Sequence, residues 1–91
     1  MRVEATITVE FYGVPRQRAG RAELAVNAGS MAEALNQVVQ ACPRLAGLVQ
    51  SDGCLSPHYL LSLDGEQFVT DLQHPLRPGA RILLLSADAG G

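Results

Sequence analysis

A chain of 91 residues with 47% hydrophobic content has room for one modest core and no second one, because single cores usually occupy about 100–150 residues. Seven basic residues against nine acidic ones give a formal net charge of -2, which excludes the broad positive field that gathers nucleic acid through counterion release. All seven basic residues are arginine, so no lysine ε-amine is present to form a Schiff base or to accept an isopeptide bond.

In chain order, Val3, Ala5, Ile7, Val9 and Phe11 alternate with Glu4, Thr6, Thr8 and Glu10, the period of two that sets one strand face against a core. Gly13 and Pro15 break this strand. Arg16, Arg18 and Arg21 are expected in a solvated turn, and Ala22, Leu24 and Val26 resume the alternation as an antiparallel partner. Ser30 followed by Glu33 is a capping-box pattern that starts a helix. Met31, Ala34, Leu35, Val38, Val39 and Cys42 then recur at helical spacing, with Glu33, Asn36, Gln37 and Gln40 facing away, until Pro43 stops the helix.

Residues 45–57 show no sustained period and read as a short helical turn plus a loop through Ser51-Asp52-Gly53. Tyr59, Leu61 and Leu63 alternate again, Asp64-Gly65 is a hairpin signal, and Phe68-Val69-Thr70 form the short return strand. The turn His74-Pro75-Leu76-Arg77-Pro78-Gly79 leads into a last strand from Arg81 to Ser86.

This order, strand-strand-helix-strand-strand-strand, gives one helix for one sheet, so only one sheet face is shielded. It predicts an α+β fold of the β-grasp (ubiquitin-like) type, a mixed four- to five-stranded sheet with one main helix packed on one face. The domain spans residues 1–86, and residues 87–91 form a flexible C-terminal tail. The start of the chain lacks the order of a secretory signal. Its longest apolar run, Ile82 to Leu85, is far short of the ~20 residues that cross a bilayer. The expectation is a cytoplasmic protein with no membrane partner.

Enzyme constellations are missing from the sequence: no metal-ligand spacing, no nucleophile with a base, no phosphate loop. His58 and His74 flank proline turns and read as surface residues. Cys42 falls on the apolar helix face as a buried thiol, whereas Cys54 lies in a polar loop with nothing nearby to activate it. What remains is the end, Ser86-Ala87-Asp88-Ala89-Gly90-Gly91, six residues beyond Leu85. A chance Gly-Gly pair at the last two positions is expected in about 0.5% of chains. Glycines have no side chain to block a narrow channel, an α-carboxylate is ionised at neutral pH, and an extended tail of this length reaches about 20 Å.

The β-grasp order combined with this end resembles the ubiquitin-like sulfur carriers, the MoaD/ThiS family of the molybdopterin synthase small subunit and the thiamine sulfur carrier. The likeness runs along the whole chain, through the Val3-to-Phe11 strand, the Ser30-Met31-Ala32-Glu33-Ala34-Leu35 helix start, Leu76-Arg77-Pro78-Gly79-Ala80-Arg81 and Gly90-Gly91. The resemblance implies a carrier, itself no enzyme. A ubiquitin-activating-like adenylyltransferase would adenylate the Gly91 carboxylate, with Gly90 and Ala89 threading the channel. A sulfur donor would then convert it to a thiocarboxylate for a sulfur-accepting synthase. It also implies that no cofactor is bound by the chain, ATP being used by the activating partner. Ser86-Ala87-Asp88-Ala89 replaces the prolines and β-branched residue usual in molybdopterin-type carriers, so the molybdopterin and thiamine branches both stay open.

The last strand is apolar on both sides, Ile82 and Leu84 on one and Leu83 and Leu85 on the other. A single helix covers one of them. Either a loop folds over the second face or an apolar patch is left for a partner, and Leu83, Leu85 and Leu60 are the residues expected in that patch. The alternative function is a ubiquitin-like interaction module or protein modifier with no role in sulfur transfer.

Overall fold

The computed structural model describes residues 6–87. Strand β1 (Thr6–Phe11) is followed by a short helix α1 (Val14–Ala19), strand β2 (Glu23–Asn27) and the main helix α2 (Met31–Ala41). After a 3-10 turn (Pro43–Leu45) come β3 (Tyr59–Leu63), β4 (Gln67–Phe68) and β5 (Arg81–Ser86). The five strands form one sheet in the order β2-β1-β5-β3-β4. β1 and β5 lie side by side in parallel, and the other neighbours are antiparallel. This is a β-grasp fold, as the element order predicts.

The alternation in β1 does what its period requires. Ile7, Val9 and Phe11 are buried to 1% exposure or less, and they meet Met31, Ala34, Leu35 and Val38 of α2 and Ile82 and Leu84 of β5 in one cluster. The start of α2 is fixed twice. The Ser30 hydroxyl accepts a hydrogen bond from the Glu33 N–H at 3.3 Å. The carbonyls of His74 and Leu72 accept from the N–H groups of Met31 and Ala32, donors that a helix start otherwise leaves unpaired. At the other end Cys42 is extended (φ -126°, ψ 80°), the conformation forced on a residue that precedes proline.

Segment 45–57 is a turn and loop, as expected, and its buried side chains show where it packs. Leu45 and Leu48 are fully buried in the same cluster as α2, and Ser56 N–H donates to the Leu48 carbonyl to close the loop on itself. The loop therefore thickens the α2 side of the sheet.

Two readings of the connecting segments need correction. Arg16 and Arg18 lie on α1 rather than in an open turn, with Arg21 beyond its end. Pro15 in the first helical turn needs no N–H partner, and Gly20 ends the helix in the left-handed conformation at φ 73°, an arrangement of proline early and glycine late that favours a helix even of six residues. The return strand is Gln67–Phe68, not Phe68 to Thr70. Val69 still donates to the Leu61 carbonyl but turns inward and is buried. The hairpin turns through Asp64 and Gly65, both at positive φ, and the Asp64 carboxylate accepts from Arg81 N–H at 2.8 Å, tying the turn to β5.

The exposed edge of the sheet at β2 is partly closed. Asn27 N–H donates to the Gln37 side-chain oxygen at 3.2 Å, and the Gln37 amide donates back to the Asn27 carbonyl. Gln37 thus imitates one residue of a neighbouring strand, one way of blunting an edge that could pair with another chain. It does not simply face solvent as the helical period suggests.

Candidate functional site

The sheet face opposite α2 carries the residues that alternate with the core set. On β5, Ile82 and Leu84 are fully buried, while Leu83 and Leu85 are half-buried. Leu85 pairs across the sheet with Leu60, and Leu83 lies between Glu10 and Ser62. Leu83 thus has a cross-strand neighbour on each side and Leu85 has Leu60 on one, the pairing by which neighbours on one sheet face interact. Leu60 is 38% exposed and Phe68, beside Ser62 on β4, is 70% exposed. Tyr12, one residue past β1, is also exposed.

The structure therefore brings Leu83, Leu85 and Leu60 to one open face, and adds Phe68 and Tyr12, which the sequence reading missed. Phe68 was legible as an alternating strand residue, but its face depends on the register of a two-residue strand. Tyr12 follows the end of its strand, where alternation gives no guidance.

A polar margin borders this apolar strip. The Tyr12 hydroxyl and the Arg81 guanidinium both donate to the Glu10 carboxylate. Tyr12's hydrogen bond, and then Arg81's, hold the Glu10 carboxyl below the usual carboxylate range against a smaller opposing effect of burial. The same bond to Glu10 raises the Tyr12 phenol. Glu10 is thus kept ionised by two donors beside an apolar surface.

At the end of the sheet, Ala87 N–H donates to the His58 carbonyl at 2.9 Å, so the chain is guided off the sheet alongside β3. Ala89, Gly90 and Gly91, the residues expected to thread a channel and carry the reactive carboxylate, lie outside the described residues. An open groove of about 580 Å³ adjoins this exit, between α1, the loop after the 3-10 turn and the start of β3. Arg18 lines it and donates to the Tyr59 hydroxyl at 2.6 Å. Cys42 is buried and Cys54 exposed, and His58 is exposed while His74 is half-buried. No helix among the described residues is long and apolar enough to cross a membrane.

No protein-family model matches the chain, and no curated protein matches it significantly. Solved structures do. The fold is similar to the crystal structure of small archaeal modifier protein 1 from Haloferax volcanii, with a TM-score of 0.81 and 22% identity over 94% of this chain and 99% of that one. It is similar to the solution structure of small archaeal modifier protein 1 from Methanosarcina acetivorans, with a TM-score of 0.82 and 19% identity over 99% and 100% of the two chains. It is also similar to a chain in the complex of subunits 1 and 2 of molybdopterin-converting factor from Helicobacter pylori, with a TM-score of 0.61 and 22% identity over 94% and 99%. The ubiquitin-like fold read from the sequence is thus shared, nearly end to end, with small modifier proteins and with a protein of molybdopterin conversion.

Proposed function

We propose that the chain is a carrier protein whose C-terminal glycine carboxylate is activated by adenylation and converted to a thiocarboxylate, which a synthase then consumes. The observation that carries this reading is a fold shared over nearly the whole length with the archaeal modifier proteins and the molybdopterin-converting chain, in a sequence that ends in Gly90-Gly91. The chemistry needs little from the carrier itself. A carboxylate is a poor electrophile, but attack of its oxygen on the α-phosphorus of ATP expels pyrophosphate and creates an acyl-adenylate with a good leaving group. A hydrosulfide-level sulfur then attacks the acyl carbon, and AMP departs with the bonding electrons.

In this reading the activating adenylyltransferase supplies ATP and catalysis, and the carrier supplies presentation. Leu83, Leu85 and Leu60, extended by Phe68 and Tyr12, form the docking face. Ala89 and Gly90 thread the channel and Gly91 carries the cargo. A partner analogous to the second subunit in the Helicobacter pylori complex would accept the sulfur.

The likeness to modifier proteins favours one second reading, in which the activated Gly91 is joined to an amine of another protein. The absence of lysine would then limit each attachment to a single copy, since no side-chain amine is present on which to build a chain. Deletion of Gly91 tests what the two readings share. Pyrophosphate exchange with the host's adenylyltransferase should vanish while the fold, followed by circular dichroism, is unchanged. Exchange that survives the deletion contradicts the assignment of the activated carboxylate to Gly91.

A further inference from the structure

We propose that the groove beside the chain exit is a receiving site for a carboxylate, an Asp or Glu side chain on the protein that grips the end of this chain, with Arg18 as its anchor. The proposal deepens the carrier reading and rests on it. Three observations on the groove support an anion as occupant. Among the described residues that line it, which include Arg18, His58, Ser56 and Ser86, none is acidic. The Arg18 guanidinium is held by the hydroxyl of Tyr59, a residue only 6% exposed on β3. Of the five N–H donors of an arginine this contact takes one, so the remainder stay in a fork whose direction is already set and whose ordering entropy is largely spent. Val14, 40% exposed, forms an apolar wall that would lower the local dielectric around a bound charge.

The surroundings carry the same sign. Arg16 and Arg18 are both on α1, which packs on the 3-10 turn that holds Arg44. The nearest acidic residue preceding α1 in the sequence, Glu10, is already engaged by Tyr12 and Arg81. Among the described residues, α1 and the 3-10 turn therefore gather three arginines in a chain of net charge -2.

Position selects a protein carboxylate over a nucleotide phosphate. Gly91 is four residues past Ala87, and at about 3.3 Å per extended residue a nucleotide joined to it would lie some 13 Å further on. With the tail held by its partner, the oxyanion that meets Arg18 comes from the surface that grips the root of the tail. Surface charge pairs are usually weak, yet a preset arginine fork against a carboxylate is the geometry in which they gain strength.

The test is a titration of the full chain in low salt, followed by nitrogen-15 NMR of the backbone amides and the arginine Nε–H groups. Two probes are used: an acetylated and amidated Glu-Ala-Glu peptide, and inorganic phosphate. The peptide should shift the Arg18 Nε–H and the amides of Val14, Gly47 and His58 together and saturably. Arg18→Ala should weaken binding by about tenfold or more, the loss expected for a charged hydrogen bond. Arg18→Lys should recover part of it, and Tyr59→Phe, which keeps the charge but frees the fork, should fall between. Shifts elsewhere, or shifts that survive Arg18→Ala, overturn the site. Phosphate binding without peptide binding overturns the assignment to an acidic side chain.

A kinetic arm uses the host adenylyltransferase. Arg18→Glu should raise the KM for this chain about tenfold with kcat within about twofold, as expected for lost docking. An unchanged KM overturns the proposal. Absence of any activation of the unaltered chain would remove the carrier reading instead, leaving the titration to judge the groove.

Discussion

Adjacent residues of β5 give a sharp physical test of how the two sheet faces divide their work. Leu84 is fully buried against α2, and truncation of a buried leucine to alanine typically removes about 2–5 kcal/mol through lost transfer energy and the cavity left behind. For a domain of this size each kcal/mol lowers Tm by about 4–8 °C, so Leu84→Ala should lower it by about 10 °C at the least and bring a marginally stable fold close to its limit. Leu83, one residue earlier, is half-buried on the opposite face between Glu10 and Ser62. Its truncation to alanine leaves no closed cavity and should lower Tm by only a few degrees, about 1 kcal/mol or less. Leu83→Glu adds a carboxylate next to Glu10, but in contact with water and near Arg81, so it should remain folded while abolishing docking to an activating partner. Thermal melts followed by circular dichroism, paired with binding measurements on the folded variants, read both effects. Loss of fold in Leu83→Glu comparable to that in Leu84→Ala would refute the assignment of this face to a partner.

Other outcomes follow from single contacts. Because hydrogen bonds from Tyr12 and Arg81 lower the Glu10 pKa in the folded state, the unfolded chain binds the proton more readily. This contribution to stability is fully present above the usual carboxylate value of about 4.3 and is lost as pH falls through the depressed folded value. Glu10→Gln should flatten that part of the acid-unfolding profile, and added salt should mimic it only in part; an unchanged profile would show that the triad is not formed in solution. Gln37→Ala removes the side chain that imitates a strand at Asn27. It should cost about 1 kcal/mol and speed hydrogen exchange at the Asn27 amide. Increased self-association in analytical ultracentrifugation would show that the uncovered edge pairs, and unchanged exchange would show that Gln37 does not protect it.

Much of this molecule can be read along the chain because its main elements are set by local periods. The alternation of Ile7, Val9 and Phe11, the Ser30 cap, the helical spacing from Met31 to Val38 and the arrest at Pro43 each depend on neighbours within a few residues. The same logic located Leu83, Leu85 and Leu60 on a face apart from the core, since one residue along a strand reverses the side. It failed where geometry is decided at a distance. Six residues are too short for a helical period to declare α1, and its only cues were Pro15 and Gly20. Gln37 reads as solvent-facing until β2 is placed beside it. The bond between Arg18 and Tyr59 joins residues 41 apart in sequence, and nothing in either neighbourhood announces the other. Whether the patch was covered depended on segment 45–57, whose buried Leu45 and Leu48 have no regular spacing and reveal their side of the sheet only in the folded chain.

The most direct test of the carrier account is the intact mass of the protein purified from its own host under conditions that preserve thioesters and thioacids. The account predicts a fraction of molecules in which one oxygen of the Gly91 carboxylate is replaced by sulfur. That fraction should fall when the activating adenylyltransferase is removed and disappear on alkylation in favour of a labelled adduct at Gly91. A terminus that is always an unmodified carboxylate, in cells where the adenylyltransferase is active and the consuming synthase has been deleted, would contradict it.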